Sequence, residues 1–271
     1  MNFLLEPLTY QFMQRGLLAS VIVGVLCAVM GTYVVLRGLA FLGDAMAHAI
    51  LPGVAIAYLF GGNLLVGAGA AAIIVALSIG LFSRQGAVKE DTAIGILFAA
   101  ALSLGVALIS SMQTYAVDLS HILFGNVLGV SPSDLWMIAG LSFAILLTVG
   151  LLFKPFLVIS FDPVLAATLR LPAELLRNLM LVLLALTVVV SLQTVGVSLA
   201  AAMLVTPAAT AYLLTRRLWP MMLVSALIGA LSSIIGLYLS YYFNIVSGSA
   251  IVLTATLFFL LAFLWKRTKS I

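Results

Sequence analysis

About nine stretches of this chain are apolar over the roughly 20 residues that a helix needs to cross a bilayer, and nothing else in the sequence limits the fold as strongly. They run roughly Gly16–Leu36, Ala40–Phe60, Leu64–Phe82, Thr92–Ser111, Asp134–Phe153, Leu175–Thr194, Val195–Leu214, Pro220–Tyr242 and Ser247–Leu264. Only 7% of the 271 residues are charged, against about 25% in a soluble domain. A water-facing surface cannot be built from so few charges. The expected fold is therefore all-α: a polytopic bundle of about eight or nine transmembrane helices, one domain over residues 1–271, with lipid as its main solvent.

The sixth and seventh stretches are separated only by Ser191, Gln193, Thr194 and Gly196, so one of them could be a half-helix or re-entrant segment, leaving eight full spans. Basic residues fall in alternate connections: at Arg37, at Arg84 and Lys89, at Lys154, Arg170 and Arg177, at Arg216 and Arg217, and at Lys266, Arg267 and Lys269. The other connections, including Met112–Pro132, carry none. Cytoplasmic loops concentrate Lys and Arg, so this alternation predicts an outer N-terminus and an inner C-terminus, with Arg15 the exception. A net charge of +4 is thus a sign of topology, and no nucleic-acid partner is expected. The N-terminal stretch lacks the short charged head of a cleavable signal and reads as a retained span.

No G-x-x-x-x-G-K-[ST] is present, so nucleotide energy has to come from another polypeptide. There is no H-E-x-x-H, no G-x-S-x-G and no paired carboxylates suited to acid–base work, and nothing points to an enzyme. The lone cysteine, Cys27, excludes an intrachain disulfide or a thiolate metal cluster. Gly24, Ala28 and Gly31, at helical spacing, suit close helix packing in lipid.

The chemistry concentrates in Arg37–Tyr58, RGLAFLGDAMAHAILPGVAIAY. Asp44 and His48, four apart, project from one helix face within an apolar span. Ionisable residues in a bilayer are expensive and mark a pathway or site by default. A carboxylate and an imidazole suit a divalent first-row metal, though two ligands leave a site open. The alternative is a structural pair, imidazole bonded to carboxylate. Pro52, one turn on, removes a backbone donor and frees a carbonyl near His48.

In the connection Lys154–Arg177, Asp162 is an N-cap and Pro163 a first helical residue. They predict a short helix Pro163–Leu169 exposing Val164, Leu165 and Leu169, with Pro172 opening the next. Such an apolar cytoplasmic helix is either an interfacial element or a docking knob. Asp91 is expected to cap the fourth span beside Lys89 and Glu90, and Thr206–Pro207 to open or kink a helix. Asp118 would cap a short helix near His121, itself a surface residue or a receiver of metal.

LRGLAFLGDAMAHAILPGVAIAY, EDTAIGILFAAALSLGVALIS, VDLSHILFGNVLGVS, FDPVLAATLRLP and SLQTVGVSLAAAMLVTPAATAYLLT appear in an order that resembles the zinc/manganese/iron permease family of ABC importers. The resemblance covers most of the chain. It implies a cobalamin-importer-like permease of the bacterial inner membrane, working as two copies or with a paralogue. Separate ATP-binding cassette subunits would lie beneath it, and an extracytoplasmic metal-binding receptor above. It implies that Asp44 and His48 lie on the path of a transported manganese, zinc or iron ion, with no permanent cofactor. It also implies that Asp162, Pro163, Val164, Leu165, Leu169 and Arg170 belong to a coupling helix, about 162–171, that docks into the ATPase. Where the family often has glycine, this chain has Arg170, so that helix either ends differently or offers a cation to the ATPase. The alternatives are a stand-alone secondary metal transporter or channel, and a membrane scaffold.

Overall fold

The computed structural model describes residues 6–84, 88–111, 127–161 and 163–269, which contain helices and turns and no strand. Twelve α-helices are described: α1 (Gln11–Leu36), α2 (Leu42–Ala49), α3 (Leu51–Leu59), α4 (Leu64–Phe82), α5 (Glu90–Ser110), α6 (Pro132–Leu151), α7 (Phe153–Phe161), α8 (Pro163–Thr168), α9 (Ala173–Val195), α10 (Val197–Leu214), α11 (Leu218–Phe243) and α12 (Ser247–Lys269). Counting Leu42–Leu59 as one span, eight are long and apolar enough to cross a membrane, and Leu199–Leu214 is a shorter apolar helix. The whole of α10, Val197–Leu214, has 18 residues and about 27 Å of backbone, close to a hydrocarbon core of about 30 Å. Eight spans are thus marked by length and composition, with α10 a further apolar helix beside them.

The helix ends follow local chemistry. Asn63 caps α4 by accepting from the amides of Leu65 and Val66. Ser131 and Asp134 form a reciprocal capping box at the start of α6, so that helix begins two residues before Asp134. The break between α9 and α10 falls at Gly196, whose φ of +78° is left-handed backbone that a side chain would resist. The expected cap at Asp91 is not formed. Lys89 occupies the N-cap of α5 without a side-chain bond, and Glu90 and Asp91 lie inside the first turn, where negative charge suits the helix dipole.

α1 is the spine. Its small residues let α10 and α11 approach main chain to main chain, as the spacing of Gly24, Ala28 and Gly31 predicts. A Cβ on Gly24 would lie 2.9 Å from the Gly229 carbonyl oxygen, and one on Gly31 would collide with the Leu204 carbonyl oxygen. Ser225 on α11 donates to the Ala28 carbonyl at 2.8 Å, and Ser233 to that of Ser20 at 2.9 Å, polar bonds that join helices where lipid gives no hydrophobic push. One helix was not expected. α7 occupies what reads in sequence as a connection, and its fully buried Phe156 meets the Tyr33 ring edge-on at 5.9 Å.

Candidate metal pathway

α2 is eight residues long and interrupted at both ends. Before it, α1 closes at Arg37 and turns through Gly38, with φ +69° and nothing within 4 Å of where a Cβ would stand. The Leu39 amide reaches back to the Val34 carbonyl at 2.9 Å, completing a glycine-terminated helix end. After it, Pro52 has no N–H to give the His48 carbonyl, and the helix breaks at Ile50 before α3 resumes. The span expected as Ala40–Phe60 is therefore two pieces, with the break where the proline places it.

Asp44 and His48 stand one turn apart on the same face of α2. Their side chains are 46% and 29% exposed in the single subunit. His48 Nδ1 lies 3.0 Å from the Asp44 main-chain oxygen and 3.7 Å from Asp44 Oδ1. A carbonyl only accepts, so Nδ1 is the donor in this bond and Nε2 is the ring nitrogen left for a ligand. The 3.7 Å approach to the carboxylate is too long for a hydrogen bond, so the two side chains do not close on each other. Phe98 from α5 meets the imidazole edge-on at 5.8 Å and Phe41 at 5.4 Å, buttressing the ring from one side. Behind the pair, Gly43 faces Leu204 and Ala201 of α10. Among the described residues no third His, Cys, Asp or Glu joins them. One subunit thus supplies a carboxylate and an imidazole nitrogen, both suited to a divalent first-row cation.

The second set of expected residues lies at the end of the molecule that carries the basic residues. Asp162 is outside the described residues, as are Asp118 and His121. Pro163 and Val164 open α8, and Leu165 and Leu169 are exposed. α8 ends at Thr168, one residue earlier than expected. Arg170 adopts φ +52°, and the Leu171 amide bonds the Ala166 carbonyl at 3.0 Å around it. That is the left-handed closure glycine usually makes. The helix ends as it would with glycine, and the exposed guanidinium leaves the turn. Pro172 stands at the N-cap of α9, consistent with its expected role. Pro207 lies inside α10.

Sequence reasoning missed the partners of these groups. Arg37, read only as a topology marker, pairs with Glu90 at 2.6 Å. Arg177 donates to the Gly80 and Ser83 carbonyls at the end of α4 at 2.8 and 3.2 Å, and Arg84 pairs with Glu174 at 3.0 Å. The faint signal for the first was a glutamate at the head of an apolar helix beside an arginine-ended one.

A bundle of apolar helices with an acid–imidazole pair on a broken span and a short apolar helix exposed at its basic end is built as the membrane-spanning part of a transporter. The chain belongs to the ABC 3 transport family, whose model matches residues 9–266. It is 48% identical to the manganese transport system membrane protein MntC of Listeria monocytogenes, over 100% of this chain and 96% of that one. It is 39% identical to the chelated iron transport system membrane protein YfeD of Yersinia pestis, over 98% of this chain and 89% of that one. Its fold matches PsaBC from Streptococcus pneumoniae, solved in complex with Fab, with a TM-score of 0.85 at 40% identity over 97% of this chain and 94% of that one. This is a permease subunit of an ABC importer, a multi-pass protein of the bacterial inner membrane.

Proposed function

We propose that this permease carries a divalent transition metal inward, manganese before iron or zinc, and that Asp44 and His48 are the groups the ion meets in the membrane. The observation that carries the reading is the geometry of α2: two donors on one face, half-exposed, with Nδ1 already committed and Nε2 left to bind. Manganese is placed first because a relative 48% identical over the whole chain is named for manganese transport. Iron follows from YfeD. Two donors per chain make a weak, open site, and a second copy facing the first would double them. A site that must release its cargo is better served so than by a closed four-ligand cage.

The chain itself hydrolyses nothing. ATP is consumed on separate cassette subunits, into which the coupling helix, about 162–171, docks through Leu165 and Leu169 with Arg170 at the rim. An extracytoplasmic receptor delivers the ion over the 112–132 connection. The metal is substrate, and no resident cofactor is involved.

The test is uptake of manganese, iron and zinc, offered separately, in cells carrying the complete transporter with wild-type, Asp44→Ala or His48→Ala permease at matched membrane levels. Loss of uptake for one ion with assembly intact places the path at this pair and names the cargo. Normal uptake by both variants sinks the pair as ligands and leaves it a packing feature.

A further inference from the structure

One ionic cluster is left unused by that reading. Arg37 ends α1 and Glu90 begins α5, and their side chains are only 11% and 17% exposed. A buried ion pair repays its desolvation only when its remaining polar atoms are also bonded. Here they are not: among the described residues Glu90 Oε1 is buried without a hydrogen-bond partner. The second Arg37 nitrogen reaches only the Met180 sulfur, at 3.9 Å. A third group stands close by. Arg177 spends its two terminal nitrogens on the carbonyls closing α4 and leaves Nε buried and unpartnered. Arg37 and Arg177 line one cavity of about 200 Å³ with Ile159, Ala173 and Glu174. Burial pushes the Arg37 guanidinium down from its ordinary range, Glu90 raises it, and the positive Arg177 lowers it again. Arg37 thus stands between a carboxylate with a spare oxygen and a second guanidinium that repels it and holds an unused donor.

The chain connections give this arrangement a direction. Arg177 lies in the first turns of α9, immediately after α8 and its Arg170 closure, so a displacement of α8 carries Arg177 with it. Glu90 heads α5, which presents Phe98 to the His48 ring about 12 Å further up the helix. Arg37 joins α2 through the open left-handed turn at Gly38. Both partners of the ion pair therefore lead to the two residues at the site.

We propose that Glu90 is a positioning residue that passes the motion of α8 to Asp44 and His48 by dividing its carboxylate between Arg37 and Arg177. In the arrangement described it holds Arg37. When α9 shifts, its spare oxygen takes up the Arg177 Nε, and the ends of α1 and α5 part. Two alternative pairings of one buried charge form the kind of discrete two-state element through which coupling between distant sites can pass. This rests on the reading of α8 as the ATPase dock.

The experiment uses the complete transporter in vesicles and records manganese accumulated against phosphate released. Glu90→Gln keeps the shape of the side chain and removes its charge. Its manganese-to-phosphate ratio is expected to fall by about tenfold, within the usual range of coupling between sites, with assembly and ATP hydrolysis retained. An unchanged ratio overturns the proposal. Arg177→Lys separates a switch from a static clamp, because it keeps a cation for the carbonyls closing α4 and leaves the Arg37–Glu90 pair intact while removing the Nε donor. A wild-type melting temperature with a lowered ratio supports the switch. A wild-type ratio overturns it. Glu90→Asp keeps the charge and withdraws it by one methylene, and stands in if either variant fails to assemble: a lowered ratio supports the proposal and a wild-type ratio overturns it. Asp44→Ala is measured alongside. Normal transport there would refute the metal pathway while leaving the Glu90 ratio readable.

Discussion

A methyl group added at Gly31 gives the sharpest test of how this bundle is held. Its Cβ would collide with the main-chain oxygen of Leu204 on α10, which cannot rotate away. Helix propensity alone would favour Gly31→Ala by about 1 kcal/mol. Overpacking into a rigid neighbour costs about 1–3 kcal/mol, and an obstacle made of backbone belongs at the top of that range. The expected net loss is about 2 kcal/mol. Gly140 on α6 is the matched control, with nothing within 4 Å of its Cβ position, so Gly140→Ala should gain about 0.5–1 kcal/mol. Gly43 lies between them. Its Cβ would meet the Leu204 Cδ2 methyl at 3.0 Å, the movable end of a side chain, and Gly43→Ala should be close to neutral in stability. Thermal unfolding of the solubilised permease, followed for the three variants under one set of conditions, should rank Gly140→Ala above Gly43→Ala above Gly31→Ala. If Gly31→Ala melts with or above Gly140→Ala, main-chain contact between α1 and α10 is not what sets their separation, and the account of the spine is wrong.

Arg170→Gly should stabilise the isolated permease by about 0.5–1 kcal/mol, because it removes a side chain from a left-handed turn at φ +52°; a lower melting temperature would mean that the guanidinium holds a contact worth more than the strain. Leu165→Asp and Leu169→Asp, on the exposed face of the α8 turn, should each abolish co-purification with the ATPase subunit while leaving the permease in the membrane at normal levels. Retention of the ATPase by both would place its dock elsewhere. Ser131→Ala removes one half of the capping box at α6 and should cost about 1 kcal/mol in the same melting assay.

What could be read from the sequence was what local chemistry dictates. Pro52 announces the break after His48, Pro163 the start of α8, and four-residue spacing puts Asp44 and His48 on one face whatever surrounds them. Burial could not be read, and the reason is the solvent. In water an exposed face must be polar, so a helix advertises its orientation; in lipid it need not. α1 and α5 have almost the same mean hydropathy, 2.3 and 2.4, yet 67% of the first span is buried and only 17% of the second. No apolar pattern distinguishes the spine from a wall. The partners of the charges were hidden for a related reason: Arg37 and Glu90 are 53 residues apart, and their meeting depends on how two spans pack. α7 was missed because its nine residues fall below the length that marks a span and carry Lys154 and Pro155 in the first turn, which read as a connection.

The same local breaks explain why the proposed ion site stands where it does. A continuous helix through residues 40–60 would fix Asp44 and His48 to the full length of a span, and any change at the site would have to move all of it. The chain instead carries the pair on eight residues, with the open turn at Gly38 on one side and the missing donor of Pro52 on the other. Such a piece can tilt against α10 and the Phe98 ring without unfolding either neighbour. Its two ends also answer to different masters: Arg37 and its ionic cluster at the basic end, α3 and its close glycine contact with α4 beyond Pro52. On the proposed reading, a site that must accept an ion from one side and give it up to the other gains this freedom from a glycine and a proline, and the two ligands it retains are few enough to let go.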